Sequence, residues 1–164
     1  MKTNLSYPSS DGVTMIHAEM WMPDGKVQAI LQIAHGMVEF IDRYDRFGTY
    51  CAKQGILVCG NDHLGHGQSI TGKARLGYFG ENGNEHVITD LHTLYEKIHK
   101  MYPNVPYFLL GHSMGSFLAR QYITRYGADL SGVILMGTGY QSQTSLKMAR
   151  FLCEKIADQK GWMY

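Results

Sequence analysis

Short apolar runs alternate with amphipathic stretches along most of this chain, and this alternation constrains the fold more than any other feature. We predict five strands, at residues 13–22, 28–34, 56–60, 106–110 and 132–136. Apolar side chains recur at spacings of three and four in the intervening and following segments. This spacing predicts four helices, at residues 44–54, 84–102, 114–126 and 145–158. Alternating strands and helices predict the α/β class, a mostly parallel sheet flanked by helices on both faces.

Length, charge and cysteine usage narrow the class of protein further. The 164 residues are enough for one domain, and the net charge of +1 gives no reason to expect binding to nucleic acid. Apolar runs are too short to span a bilayer, although a transient contact with a membrane surface stays compatible with the sequence. The N-terminus has no apolar signal-peptide core. Three cysteines without metal-like spacing predict reduced, buried or half-buried thiols and a cytoplasmic location.

The segment Gly111-His112-Ser113-Met114-Gly115 matches the pattern G-x-S-x-G between a predicted strand and a predicted helix. That context is typical of a strained turn that presents a serine hydroxyl as a nucleophile. Gly111 and Gly115 would let the strand and the helix pass closely, and the Met114 N–H would face a developing oxyanion. The alternative is an ordinary serine N-cap, which is common at helix starts.

Two further loops follow predicted strands. His35-Gly36 comes directly after residues 28–34, where the α/β-hydrolase layout places a second oxyanion donor, here the N–H of Met37. We expect the His35 side chain to bond backbone groups, with Gly36 permitting the turn. The segment 62–69 contains Asp62, His63 and His66, which could resemble a metal site, but glycine-rich loops rarely fix metal ligands. We therefore interpret it as a loop at the C-terminal edge of the sheet and expect no metal and no cofactor.

The blocks HGMVEFIDRYDRF, NDHLGHGQS and LLGHSMGS resemble, in order and approximate spacing, the monoacylglycerol lipase and lysophospholipase branch of the α/β-hydrolases. The resemblance extends from about residue 11 to about residue 140. It implies hydrolysis of a single acyl ester in a lipid or other small molecule, without a cofactor and under a helical cap. It also implies that Ser113 is the nucleophile and that Met37 and Met114 are the oxyanion donors.

The acid and the base of that family have no clear counterpart here. No histidine follows Ser113, and the carboxylates that do follow it are Asp129, Glu154 and Asp158. None of the three is a credible triad acid. His35, His63 and His66 lie at the correct sheet edge and remain alternatives as a makeshift base.

We therefore expect the N-terminal part of a longer hydrolase, ending after the sixth strand of the family sheet and the start of the cap. Residues 1–140 would form the core and residues 141–164 the start of the cap, and this chain alone would be inactive. Self-association through residues 132–136 or 145–158 is expected, because both would lack covering segments. The alternatives are a non-catalytic, partner-binding fragment, and a thioesterase or small-ester esterase of the same fold.

Overall fold

The computed structural model of the chain describes residues 1–70 and 76–161. Within them lies one six-stranded sheet with the order β1-β2-β4-β3-β5-β6. The pairings β1–β2 and β2–β4 are antiparallel, whereas β3 runs parallel to β4 and β5, and β5 parallel to β6. The strands are β1 (Lys2–Pro8), β2 (Met15–Trp21), β3 (Ala29–Ala34), β4 (Ile56–Asn61), β5 (Tyr107–His112) and β6 (Gly132–Met136).

Four α-helices and two short 3₁₀ helices connect or follow these strands. The 3₁₀ helices precede α1 and β6, at Ile41–Tyr44 and Gly127–Asp129. The α-helices are α1 (Asp45–Lys53), α2 (Gly83–Met101), α3 (Met114–Tyr126) and α4 (Gln143–Lys160). All four predicted helices are therefore confirmed, with boundaries within a few residues of those expected.

Helices cover both faces of the sheet, as the α/β class requires. On one face α1 packs on a cluster that includes Trp21, Leu31 and Val58. On the other face α2 and α3 pack on residues of the same strands that point the opposite way, such as Ile30 and Leu57. Alternate residues of β3 and β4 thus enter different cores, which explains why these strands are continuously apolar in sequence.

The five predicted strands are confirmed, but β1 was missed. It pairs antiparallel with β2 at the sheet edge, and Tyr7 is its only buried residue. With one face largely open to solvent, β1 carries too few apolar residues to stand out in the sequence. Gly127 also differs from the expected helix terminator. Its φ is −63°, and it continues into the 3₁₀ helix instead of adopting a left-handed cap.

At the other edge of the sheet, β6 and α4 leave apolar side chains exposed. Ile134, Leu135 and Met136 of β6 are 39–47 % exposed, and α4 has no buried residue. Cys51 and Cys59 are buried free thiols as predicted, but Cys153 on α4 is exposed, contrary to expectation. Among the described residues, no helix is long and apolar enough to cross a membrane. The division into a core and a cap at residue 140 stays a prediction.

Candidate active site

Ser113 lies between the end of β5 and the start of α3, so the expected order of strand, turn and helix is observed. Its backbone has φ 52° and ψ −116°, and its side chain is exposed. A positive φ is uncommon in a residue with a side chain, and it persists only where the surroundings enforce it. We call residues 111–115 the serine turn.

The glycines of the serine turn are required by close backbone packing. A Cβ on Gly111 would collide with the carbonyl oxygen of Gly115, and one on Gly115 with the carbonyl oxygen of Ala34. The turn therefore brings the first residues of α3 directly against the end of β3. No side chain larger than hydrogen fits either position without moving the backbone.

Hydrogen bonds hold the serine turn on both sides of Ser113. The Ser113 N–H donates to the Met136 carbonyl at 2.9 Å, which connects the turn to the end of β6. The Ser113 carbonyl accepts from the Ser116 N–H at 2.9 Å and from the Ser116 hydroxyl at 2.6 Å. Both backbone polar groups of Ser113, its N–H and its carbonyl, are therefore hydrogen-bonded in the strained conformation.

The loop that follows β3, residues 35–40, borders Ser113 and is called the β3 loop. A Cβ on Gly36 would lie 3.2 Å from the Cβ of Ser113, so the two backbones are in close contact. The Gly36 N–H donates to the carboxylate of Glu39 at 2.8 Å. The Met37 N–H has no acceptor among the described residues, and the Met37 side chain is 64 % exposed.

His35 is fully buried and serves the loop backbone, as predicted. Its Nδ1 donates to the Gly36 carbonyl at 2.8 Å, and its Nε2 accepts from the His63 N–H at 3.0 Å. Burial lowers the pKa of His35 to about 4, because desolvation disfavours the charged ring. A neutral ring with both nitrogens occupied cannot act as a base for Ser113.

The loop that follows β4, residues 62–69, lies at the same sheet edge and is held by its own polar side chains. The Asp62 carboxylate accepts from the N–H groups of Ile41 and Gln68, each at 2.7 Å. The His63 Nε2 donates to the His35 carbonyl at 3.2 Å, and burial lowers the pKa of His63 well below its ordinary value. Each of these groups therefore has a structural role in shaping the loop. Within residues 1–70 and 76–161, no group of three or more metal-binding side chains is found.

Among the described residues, none of the titratable groups weighed as acid or base is hydrogen-bonded to Ser113. Within the described residues, the Ser113 hydroxyl has no hydrogen bond to a histidine ring. Asp129 precedes β6 and lies at the amino ends of the parallel strands, opposite Ser113. Glu154 pairs with Arg150 on α4 at 2.8 Å. The makeshift base considered from the sequence thus has no geometric support.

The Ser113 side chain is exposed and does not line the cavity of about 630 Å³ that lies near the amino ends of β3 and β4. Its lining includes Trp21, Gln28 and Gly55.

Sequence reasoning also missed Glu39, a buried carboxylate in the β3 loop. It contacts Gly36, Tyr44 and His112, of which His112 is the half-buried last residue of β5. The available signal was a single acidic residue among Met37, Val38 and Phe40 in an otherwise apolar loop. The pattern could not show that its side chain turns inward toward a strand more than 70 positions later.

The strand order, the helices on both faces and the serine turn beside the β3 loop define an α/β-hydrolase. Over residues 25–162 the chain matches the family described as "Serine aminopeptidase, S33", and it belongs to that family.

Similar proteins include lipases and an esterase. The chain is 34 % identical over 116 residues to the monoglyceride lipase of Rattus norvegicus, covering 71 % of this chain and 37 % of that protein. It is 30 % identical over 132 residues to the monoacylglycerol lipase of Mycolicibacterium smegmatis, covering 80 % and 45 %. A thermostable carboxyl esterase from Bacillus coagulans, solved in complex with glycerol, superposes with a TM-score of 0.87 at 35 % identity. That superposition covers 98 % of this chain and 52 % of the esterase chain, so the chain spans between 37 and 52 % of the lengths of these three relatives.

Proposed function

We propose that residues 1–164 are the nucleophile-bearing part of a serine ester hydrolase whose triad acid and base lie outside these residues. The observation that carries the proposal is the backbone of Ser113, held at φ 52° between β5 and α3 beside Gly36. The exposed hydroxyl at this turn attacks the acyl carbon, its proton passes to the base, and the alcohol leaves from the tetrahedral intermediate. We call the full-length protein that contains this chain and those two residues the whole enzyme.

The oxyanion of that intermediate is stabilised by two backbone donors, the N–H groups of Met37 and Met114. Met114 begins α3, where N–H groups point outward and the helix dipole favours negative charge. In the β3 loop, the Gly36 N–H is already bonded to Glu39, whereas the Met37 N–H has no acceptor within the described part of the chain. Met37 directly follows Gly36, which lies against Ser113, and this position favours its N–H as the donor from the loop.

The substrate class in this proposal is a single acyl ester, of the monoacylglycerol or lysophospholipid type. Support comes from the named lipases and the esterase to which the chain is similar. It also comes from exposed apolar side chains near the serine turn, since acyl chains bind to apolar surface. These are Met37, Val38, Phe117 and Met136, each between 46 and 86 % exposed. No cofactor enters this chemistry.

The test is hydrolysis of a long-chain monoacylglycerol by the whole enzyme and by its Ser113→Ala variant. Loss of a triad nucleophile lowers turnover by about a million-fold, so the variant should show almost no turnover while folding normally. Ser131→Ala is a matched control, because Ser131 bonds the Tyr107 N–H at the opposite end of the sheet and should leave turnover unchanged.

The 164-residue chain alone should show little or no turnover in the same assay. Full activity in this chain would mean that one of its own histidines acts as the base. Full activity in Ser113→Ala would exclude Ser113 as the nucleophile. If the whole enzyme prefers thioesters or short-chain esters, the proposed substrate class is wrong but the proposed role of Ser113 still holds.

A further inference from the structure

Glu39 is a buried carboxylate in the β3 loop, although the apolar residues on either side of it face solvent. It is 8 % exposed, whereas its neighbours Val38 and Phe40 are 86 % and 47 % exposed. Burying a carboxylate is costly unless it is well bonded, so a buried acid beside an exposed loop needs a reason. Nothing in the proposed chemistry so far uses Glu39.

A single oxygen of Glu39 joins three parts of the site. Its Oε2 accepts from the Gly36 N–H at 2.8 Å and from the Tyr44 hydroxyl at 3.0 Å, and it lies 3.2 Å from Nδ1 of His112. Arg43 pairs with the other oxygen, Oε1, at 2.8 Å. His112 directly precedes Ser113, so the carboxylate links the β3 loop to the serine turn.

The loop that Glu39 holds is strained. Val38 has φ 57°, a left-handed conformation that is rare for a β-branched residue and costs on the order of 1–3 kcal/mol. The loop is also tightly packed at Gly36, because a Cβ there would lie 3.0 Å from Glu39 Oε2 and 3.2 Å from the Cβ of Ser113. The surroundings must therefore enforce the conformation, and Glu39 bonds the loop at Gly36 and the serine turn at His112.

The negative charge of Glu39 strengthens the hydrogen bonds that it accepts from the loop and the serine turn. Burial alone would raise the pKa of its carboxyl, but hydrogen bonds from Gly36, His112 and Tyr44 outweigh burial and hold the pKa below its usual value. The group is thus ionised at neutral pH, and hydrogen bonds to an ionised acceptor are about twice as strong as those between neutral groups. The bond from Gly36 fixes the peptide plane that immediately precedes the Met37 N–H.

We propose that Glu39 is a positioning residue, which anchors the β3 loop to the serine turn so that the Met37 N–H faces the oxyanion formed at Ser113. This inference rests on the proposed function, because it assigns Glu39 a role in the same site. Glu39 does not touch the reacting atoms. It acts through Gly36 and His112, and its loss should lower kcat more than it raises KM.

The variants Glu39→Ala and Glu39→Gln in the whole enzyme test this role. A displacement of about 1 Å in a catalytic donor costs on the order of 100-fold in rate, which is the loss of kcat expected for Glu39→Ala, with KM changed by less than about threefold. Glu39→Gln keeps an oxygen acceptor for Gly36 but loses the charge, so its kcat should lie between those of Glu39→Ala and the wild type.

Asp90→Asn is the matched control. Asp90 is likewise a buried carboxylate, but it bonds Ser9 and Ser10 in the turn between β1 and β2. It should lower the melting temperature without lowering kcat. An equal loss of kcat in Asp90→Asn, or a wild-type kcat in Glu39→Ala, would show that Glu39 is merely structural or dispensable and would overturn the proposal.

Hydrogen exchange of the Gly36 amide separates this proposal from the proposed function. In the wild-type whole enzyme the amide should be protected, and it should exchange at least about tenfold faster in Glu39→Ala than in Asp90→Asn. If the whole enzyme hydrolyses no ester, the proposed function fails, yet the exchange result still decides whether Glu39 anchors the loop. Unchanged exchange in Glu39→Ala would overturn the anchoring role even in an active enzyme.

Discussion

At the scale of single residues, the packing of Gly115 against β3 decides whether the serine turn can form. A methyl group at this position would meet backbone atoms of Ala34 and His35, which cannot move as a flexible side chain can. The position is therefore limited by space and not by backbone conformation, since Gly115 lies in the regular helix α3. The same is true of Gly111 in β5.

Gly115→Ala should lower the free energy of unfolding by about 3 kcal/mol or more, because overpacking against backbone forces the helix away from the sheet. Gly25→Ala is the matched control. A Cβ at Gly25 meets nothing within 4 Å, so its effect should stay within about 0.5 kcal/mol. Denaturant unfolding of both variants measures the difference, and equal stabilities would show that α3 is free to shift.

His35 makes stability depend on pH. Its pKa falls from 6.5 in the unfolded chain to about 4 in the folded chain, first because of burial and then because of the nearby His66. Between these values the unfolded state binds a proton that the folded state does not. The contribution of His35 to the free energy of unfolding is therefore complete above pH 6.5 and is lost as the pH falls toward 4. The shift corresponds to a loss on the order of 3 kcal/mol. His63, whose pKa is also lowered by burial, acts in the same direction.

Urea denaturation of the wild type and of His35→Asn at several pH values checks this expectation. The variant has lost the titrating ring, so its free energy of unfolding should fall less steeply between pH 6.5 and 4. Other groups titrate in both proteins, and the difference between the two curves isolates His35. Parallel curves would contradict the buried neutral ring.

At the scale of elements, β6 and α4 carry apolar surface that residues 1–70 and 76–161 leave uncovered. The outer side of β6 has no strand paired with it among the described residues, and unpaired apolar edges are templates for pairing with another chain. On α4, Met148, Leu152 and Ile156 lie one turn apart and are each 48–62 % exposed. We expect the 164-residue chain to self-associate through these elements or to be unstable.

Sedimentation over a concentration series measures this association. The average mass of the 164-residue chain should rise with concentration, and Leu152→Lys should weaken the rise because it places a charge in the apolar row. Lys147→Glu, which changes a charge on the same exposed helix, is the control and should leave the association largely unchanged. A monodisperse monomer with cooperative thermal unfolding would refute the prediction.

Sequence patterns anticipated the central elements better than the peripheral ones. β3, β4 and β5 are buried on both faces, so their continuous apolar runs stand out, and the helical spacing of α2 is equally clear. The edge strand β1 gave no comparable signal. Within the site, the turn at Ser113 and its two glycines could be predicted because its geometry depends on five consecutive residues. Glu39 was missed because its partner His112 lies far along the chain, at the end of β5, and only the fold brings them together.

At the scale of the whole molecule, the described residues form a six-stranded α/β-hydrolase sheet, and the chain spans about half or less of the length of the relatives described above. The serine turn and the β3 loop are both complete within it. In the same part of the chain, the Ser113 hydroxyl has no histidine partner. We propose that this chain holds the nucleophile and the oxyanion donors, and that the acid and the base lie elsewhere in the whole enzyme.

The most direct test of this account is mass spectrometry of the whole enzyme after reaction with a fluorophosphonate ester. In that reaction the Ser113 oxygen forms a bond to phosphorus, fluoride leaves, and the hydroxyl proton passes to the base. The account predicts one phosphonyl adduct per molecule, on the peptide that contains Ser113, with ester hydrolysis lost in proportion to labelling. An adduct on a different residue that accompanies the loss of activity, or full ester hydrolysis after Ser113 is completely labelled, would contradict it.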